Sequence, residues 1–137
     1  MQKVTHIIFA FFILILFGFI LNFPIYMAFF AFAGVLIPDL DTKFKKFHRK
    51  VFHNVWFLVI MLFAISRLAI FNRMIGILFS IGFFSHLIAD SLTHRGIMPL
   101  WPIKRPKFNG PVKTGGFGEY LIILVLLFMI YSIGTII

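Results

Sequence analysis

Five apolar runs dominate the chain, and the polar stretches between them are short. The first, "VTHIIFAFFILILFGFILNF", covers residues 4 to 23, and "PIYMAFFAFAGVLIP" follows after a very short turn. A third runs from about Asn54 to Phe71, a fourth from about Ile75 to Asp90 or a little beyond, and a fifth, "YLIILVLLFMIYSIGTII", reaches Ile137. With 61% hydrophobic residues and a mean hydropathy of +1.05, 137 residues carry more apolar surface than a core of their own size encloses. The natural solvent is a bilayer. The fold class expected is all-α: a polytopic membrane helical bundle of about five membrane helices, forming a single integral membrane domain over residues 1–137. Lys3 precedes the first run as in a signal peptide, but no small-residue cleavage site follows, so a retained helix is expected. The second run is shorter than the ~20 residues of a full span. It is expected to begin with Pro24 in its first turn and to break at Pro38.

Charge orients the bundle. Thirteen Lys and Arg face four acids, a formal net charge of +9. If every run spans, the N-terminus, the 39–53 loop and the Pro/Gly-rich 95–118 loop share one side. That side carries eleven basic residues: Lys3, Lys43, Lys45, Lys46, Arg49, Lys50, Arg95, Lys104, Arg105, Lys107 and Lys113. The other side has Arg73, with Arg67 close to it. The positive-inside rule then puts the N-terminus and both loops in the cytoplasm and the C-terminus outside. Anionic lipid headgroups account for the basic excess. No nucleic acid partner is expected, because the basic residues sit in short loops and no recognition motif is present. Without cysteine, any metal site must use His and carboxylate ligands.

The few remaining polar residues are not scattered. On the five-span reading, Asp39, Asp41, Asp90 and Glu119, together with His6, His48, His53, His86 and His94, all fall at cytoplasmic helix ends or in cytoplasmic loops. Acids inside an apolar chain are costly and mark sites. His86 and Asp90 are i and i+4, so they project from one helix face and could share a divalent cation, or form a buried hydrogen bond between helices. His94 would continue that face if the helix persisted. "PDLD" places Asp39 and Asp41 beside a proline, where they could clamp a metal; Asp41 as a helix cap, with both acids paired to lysines, is the plainer use. "HRKVFH" offers His48 and His53 as ligands, or as a ligand plus a general base, with Arg49 placed to hold a phosphate. Glu119 follows a glycine-rich loop. It reads either as a first-turn acid favoured by the helix dipole or as a residue folded back over the site as ligand or base.

Several segments carry a resemblance to a known family: Thr5-His6, "GVLIPDLD" at 34–41, "HRKVFH" at 48–53 and "GFFSHLIADSLTHRGIMPLWP" at 82–102. The chain resembles the YdjM-like membrane-bound metal-dependent hydrolases, which are similar to the zinc-dependent phospholipase C and single-strand nuclease superfamily. The resemblance implies ligands at His6, Asp39 or Asp41, His48 or His53, His86 and Asp90. Two positions depart from the pattern. Phe52 and Asn54 flank His53 where the family usually has Thr and Ser, and His94 stands where a proline is common.

The function expected is that of a membrane-bound metal-dependent hydrolase, with one or more Zn2+ ions as cofactor. It would act on an anionic small-molecule or lipid-linked substrate, most simply a phosphoester, at the cytoplasmic membrane face. His48, Arg49 and Glu119 are the expected catalytic residues; His6, Asp39, Asp41, His53, His86 and Asp90 are the expected ligands. The competing reading is a metal-ion transporter or metal-sensing membrane protein without hydrolytic activity. It would place ligands at mid-membrane depth or on both sides.

Overall fold

The computed structural model describes residues 1–43, 52–67, 73–103 and 105–136. Among them are five α-helices and no strand: α1 (Lys3–Leu21), α2 (Ala28–Leu36), α3 (Val55–Ser66), α4 (Arg73–Ser91) and α5 (Phe117–Ile136). α4 and α5 are long and apolar enough to cross a membrane; the apolar helical stretches Lys3–Gly18, Ile25–Leu40 and Val55–Ser66 are shorter.

Local chemistry explains the boundaries. α1 ends where Asn22 adopts the left-handed conformation (φ 43°) and its N–H bonds Gly18 O. Asparagine tolerates that conformation, and Pro24 two residues on cannot continue the helix. A 3-10 turn, Ile25–Met27, then leads into α2. The break expected at Pro38 takes the form of a change of winding: α2 ends at Leu36 and the chain tightens into a second 3-10 segment, Ile37–Lys43. Proline has no N–H for an α-helical bond, and the tighter winding carries the chain past it without a gap. Asn54 caps α3, its side chain accepting a hydrogen bond from Phe57 N at 2.7 Å.

α4 is the central helix, with α1, α2 and α3 packed on it; α5 lies against α1. The α2–α4 crossing is close because it is built on glycines. A Cβ on Gly82 would collide with the Ala31 carbonyl, and one on Gly34 with the Phe79 carbonyl. Small residues at such crossings let two backbones approach, which is how membrane helices gain packing when apolar burial alone does not drive them together. Leu58, Phe79, Phe83, Leu87 and Ile97 form one buried cluster, and Leu14, Ala31 and Leu78 another. α5 by contrast exposes Leu121, Leu124, Phe128 and Tyr131, an apolar surface suited to lipid rather than water.

The 95–118 loop is not featureless. Thr93 bridges Val112 and Ile97 bridges Phe108, so the segment folds back on itself between α4 and α5. It also meets the start of α3, where Val55 N donates to Pro99 O at 2.8 Å.

Candidate metal centre

His86 and Asp90 stand one turn apart on α4, and both are buried to the last percent. The helix period puts them on one face, and that face looks inward. Three other segments close on it. The first turn of α1 brings His6, the 3-10 segment after α2 brings Asp39, and the residues just before α3 bring His53. α1 and α3 therefore begin, and α2 and α4 end, at the same end of the bundle.

The donor atoms sit at ligand spacing. His86 Nε2 lies 3.1 Å from His53 Nε2, and His53 Nε2 lies 3.4 Å from Asp90 Oδ2. His6 Nε2 is 3.3 Å from Asp90 Oδ1. Asp39 Oδ1 is 3.8 Å from His53 Nε2 and 3.9 Å from His86 Nε2. Ligands bound at about 2.0–2.2 Å to one zinc ion are themselves roughly 3–3.5 Å apart. The groups form two overlapping triads, His6–Asp39–His86 and His53–His86–Asp90, each with its donor atoms within 4.8 Å of one another. His86 belongs to both. Its ring stacks on His6 with centroids 3.9 Å apart and planes 9° from parallel, while His53 meets it at 65°. The donor set is imidazole nitrogen and carboxylate oxygen, chemistry that suits zinc and other borderline divalent cations. Asp39 is the most open of the five, with 17% of its side chain exposed. The N-terminal amine of Met1 also reaches the cluster, 2.6 Å from Asp90 Oδ1.

Glu119 is buried, but its carboxylate is engaged elsewhere. Oε1 accepts from Gln2 N at 2.6 Å and from Thr5 Oγ1 at 2.5 Å, and Oε2 accepts from Gly115 N at 2.6 Å. Among the described residues it joins neither triad. Asp41 lies in the 3-10 segment, its side chain outside the described residues; His48 and Arg49 fall wholly outside them. His94 does not extend the α4 face. The helix ends at Ser91, Thr93 Oγ1 bonds the Asp90 carbonyl at 2.8 Å, and His94 is exposed.

Two residues named by the resemblance, Thr5 and Asn54, have supporting roles that the sequence reading did not assign. Thr5 ties the first turn of α1 to Glu119, a contact across 114 residues that no local pattern announces. Asn54 does have a signal: it is a good capping residue directly before an apolar run. The Ser expected there by resemblance would cap equally well, so this departure preserves the chemistry that holds His53 in place.

The geometry defines an all-helical protein with a buried His/Asp cluster able to hold a metal ion. The chain belongs to the YdjM inner membrane protein family, whose sequence model matches residues 1–137. Among curated proteins, the uncharacterized protein YvsG of Bacillus subtilis (strain 168) is 34% identical over 120 residues, covering 73% of this chain and 72% of that relative. No solved structure matches.

Proposed function

We propose that this protein is a membrane-bound metal-dependent hydrolase acting on a phosphoester at the cytoplasmic face of the inner membrane. The observation that carries the reading is the convergence of three histidines and two aspartates from four chain segments into two triads sharing His86. A bound divalent metal, zinc in the simplest case, would supply Lewis-acid polarisation of the substrate oxygen. His6, His53, His86 and Asp90 would hold that ion, and Asp39, the most open of these five side chains, would accept a proton from water. By the resemblance alone, Asp41 would be a further ligand and His48 and Arg49 would act on the phosphate; the Asp41 side chain and both of those residues lie outside the described residues. The exposed Lys3, Arg95, Arg105 and Lys113 attract an anionic substrate. Grouping at one end of the helices supports hydrolysis over transport, which needs ligands along a path.

The alternation of helix starts and ends at this cluster supports a five-helix, multi-pass arrangement, and the basic residues on that side support a cytoplasmic N-terminus. α2 and α3 are short, so they reach full depth only with their flanking turns.

Metal analysis of the purified full-length chain, beside hydrolysis of a soluble chromogenic phosphodiester, tests the proposal. The expected result is bound divalent metal with chelator-sensitive turnover, both lost in His86→Ala. Metal-free protein after loading with zinc would remove the reading.

A further inference from the structure

Between Asp90 and Glu119 the chain carries five basic residues and no acid. Of the five, Arg95, Arg105, Lys107 and Lys113 are exposed. Two large apolar side chains stand among them, Ile103 at 55% exposure and Phe108 at 50%. Bare hydrocarbon beside several cations is the pattern of a segment lying in a bilayer interface. The cations meet anionic headgroups and the hydrocarbon enters just below them.

The fold holds this segment at the membrane end of the helices. Gly110 N donates to Thr93 O, Val112 N to Leu92 O and His94 N to Val112 O, each at 3.0 Å. The stretch from Phe108 to Val112 is therefore laid against the end of α4, close to Asp90, instead of reaching away from it. Gly110 permits the approach, because a Cβ there would meet the Leu92 backbone. Phe117 and Tyr120, at the start of α5, are exposed as well.

A second set of contacts joins the loop to the metal centre. Phe108 and Ile97 exchange both backbone hydrogen bonds, at 2.8 and 3.0 Å. Ile97 is buried in one cluster with Leu58, Phe83 and Leu87, and Leu87 directly follows His86. Two residues beyond Ile97, Pro99 O accepts from Val55 N at 2.8 Å, and Val55 stands two residues after His53. The exposed Phe108 is thus connected to the candidate ligand His53 through Ile97, Pro99 and Val55.

We propose that Ile103, Arg105, Lys107 and Phe108 form a docking platform for anionic phospholipid headgroups of the protein's own membrane, and that seating there braces His53 in the metal centre. Charge commits the partner: cations without a neighbouring acid gain net attraction from an anionic surface and not from a zwitterionic one. The brace rests on the metal centre of the proposed function; the headgroup contact does not.

The chain has no cysteine, so one introduced as Phe108→Cys or Ile103→Cys takes a fluorophore at a single place. The full chain is set in nanodiscs of phosphatidylcholine, or of phosphatidylcholine with phosphatidylglycerol, each containing nitroxide-bearing lipid as quencher. Quenching should be strong in the mixed disc and weak in the zwitterionic one, and Arg105→Gln with Lys107→Gln should abolish the difference. Zinc affinity of the unlabelled chain is read by competition with a chromophoric chelator. In the mixed disc the double variant should bind zinc about 10-fold more weakly, the scale for lost support of a ligand. Simple electrostatics has the opposite sign, since removing two cations near the site favours a divalent cation. The anionic surface concentrates zinc equally for both chains. Equal quenching in the two discs, or none in either, would overturn the platform. Zinc affinity unchanged or raised in the double variant would overturn the brace. Labels that seat in anionic lipid on a chain that takes up no zinc refute the metal centre and leave the headgroup contact standing; zinc uptake without seating refutes this inference alone. Should Phe108→Cys disturb the pairing with Ile97, Ile103→Cys carries the measurement.

Discussion

His86 Nε2 and His53 Nε2 face each other at 3.1 Å across 33 residues of sequence. A single proton can bridge two such nitrogens; a divalent cation engages both lone pairs and the neighbouring carboxylates together. His86 is the shared member of both triads, whereas His53 belongs to one. His86→Ala should therefore abolish metal binding, and His53→Ala should leave a weakened, partial site. Elemental analysis of purified variants checks the order; equal loss in both would argue against two overlapping triads.

Metal removal should also lower stability. Binding to the folded state alone adds about 2.7 kcal/mol at a hundredfold excess over Kd. Chelation of the wild type should lower its thermal midpoint in detergent, and chelation of His86→Ala should change nothing. An unshifted wild-type midpoint, with metal shown to have left, would mean the cluster is pinned by its own contacts.

Much of this site was legible in the sequence, because its central pair is local. His86 and Asp90 obey a helical spacing, and Asp39 follows a proline that marks the end of an apolar run. What escaped was long-range. Glu119 could be seen as an isolated acid, but its partners Gln2 and Thr5 lie more than a hundred residues away, and no periodicity links them. Whether His94 continued the His86–Asp90 face hung on where the helix stops, and it stops at Ser91, with Thr93 turning its hydroxyl back on the Asp90 carbonyl. Five apolar runs were countable, yet their lengths as helices were not. Pro38 and the capping of Asn54 set those lengths locally.

Asn54 supplies a discriminating pair of substitutions. Asn54→Ala removes the cap of α3 directly beside His53, at a cost of about 1 kcal/mol. Asn54→Ser replaces one capping oxygen by another and should be nearly neutral in thermal midpoint and metal content. A serine variant as damaged as the alanine one would show that the Asn54 amide has a duty beyond the cap.

The α2–α4 crossing should tolerate no added carbon. In Gly82→Ala the new methyl meets the Ala31 backbone, which cannot turn aside as a side chain would. Overpacking of this kind costs about 1–3 kcal/mol, and it pushes the helix ahead of Asp39 away from His86. Thermal midpoint and metal affinity should fall together. Gly18→Ala, with nothing within 4 Å of the added carbon, is the control, expected to hold or gain stability.

Reporter fusions after Lys113 and after Arg73 should report opposite sides, Lys113 inside, as the basic loops require. Lys113 reporting from outside would separate the loop from the cytoplasm and invert the proposed approach of substrate.

Glu119 ties the first residues of α1 to the start of α5, and His6 follows Thr5 directly. In Glu119→Gln the new amide can still offer one oxygen to Thr5 and Gln2, but its NH2 then opposes the Gly115 N–H, donor against donor. Leaving buried donors unpaired costs about 1–3 kcal/mol per group. Thr5→Val removes the hydroxyl from the other side of the same contact. Both variants should lower the thermal midpoint and loosen His6, weakening metal affinity by about 10-fold, the scale found when a ligand's support is removed. Turnover per bound metal should remain near wild type, and the double variant should fall short of the sum of the two, as expected for partners in one contact. If Glu119→Gln instead abolishes turnover with metal fully bound, while Thr5→Val leaves turnover intact, the carboxylate acts on the reaction itself and the tie is secondary.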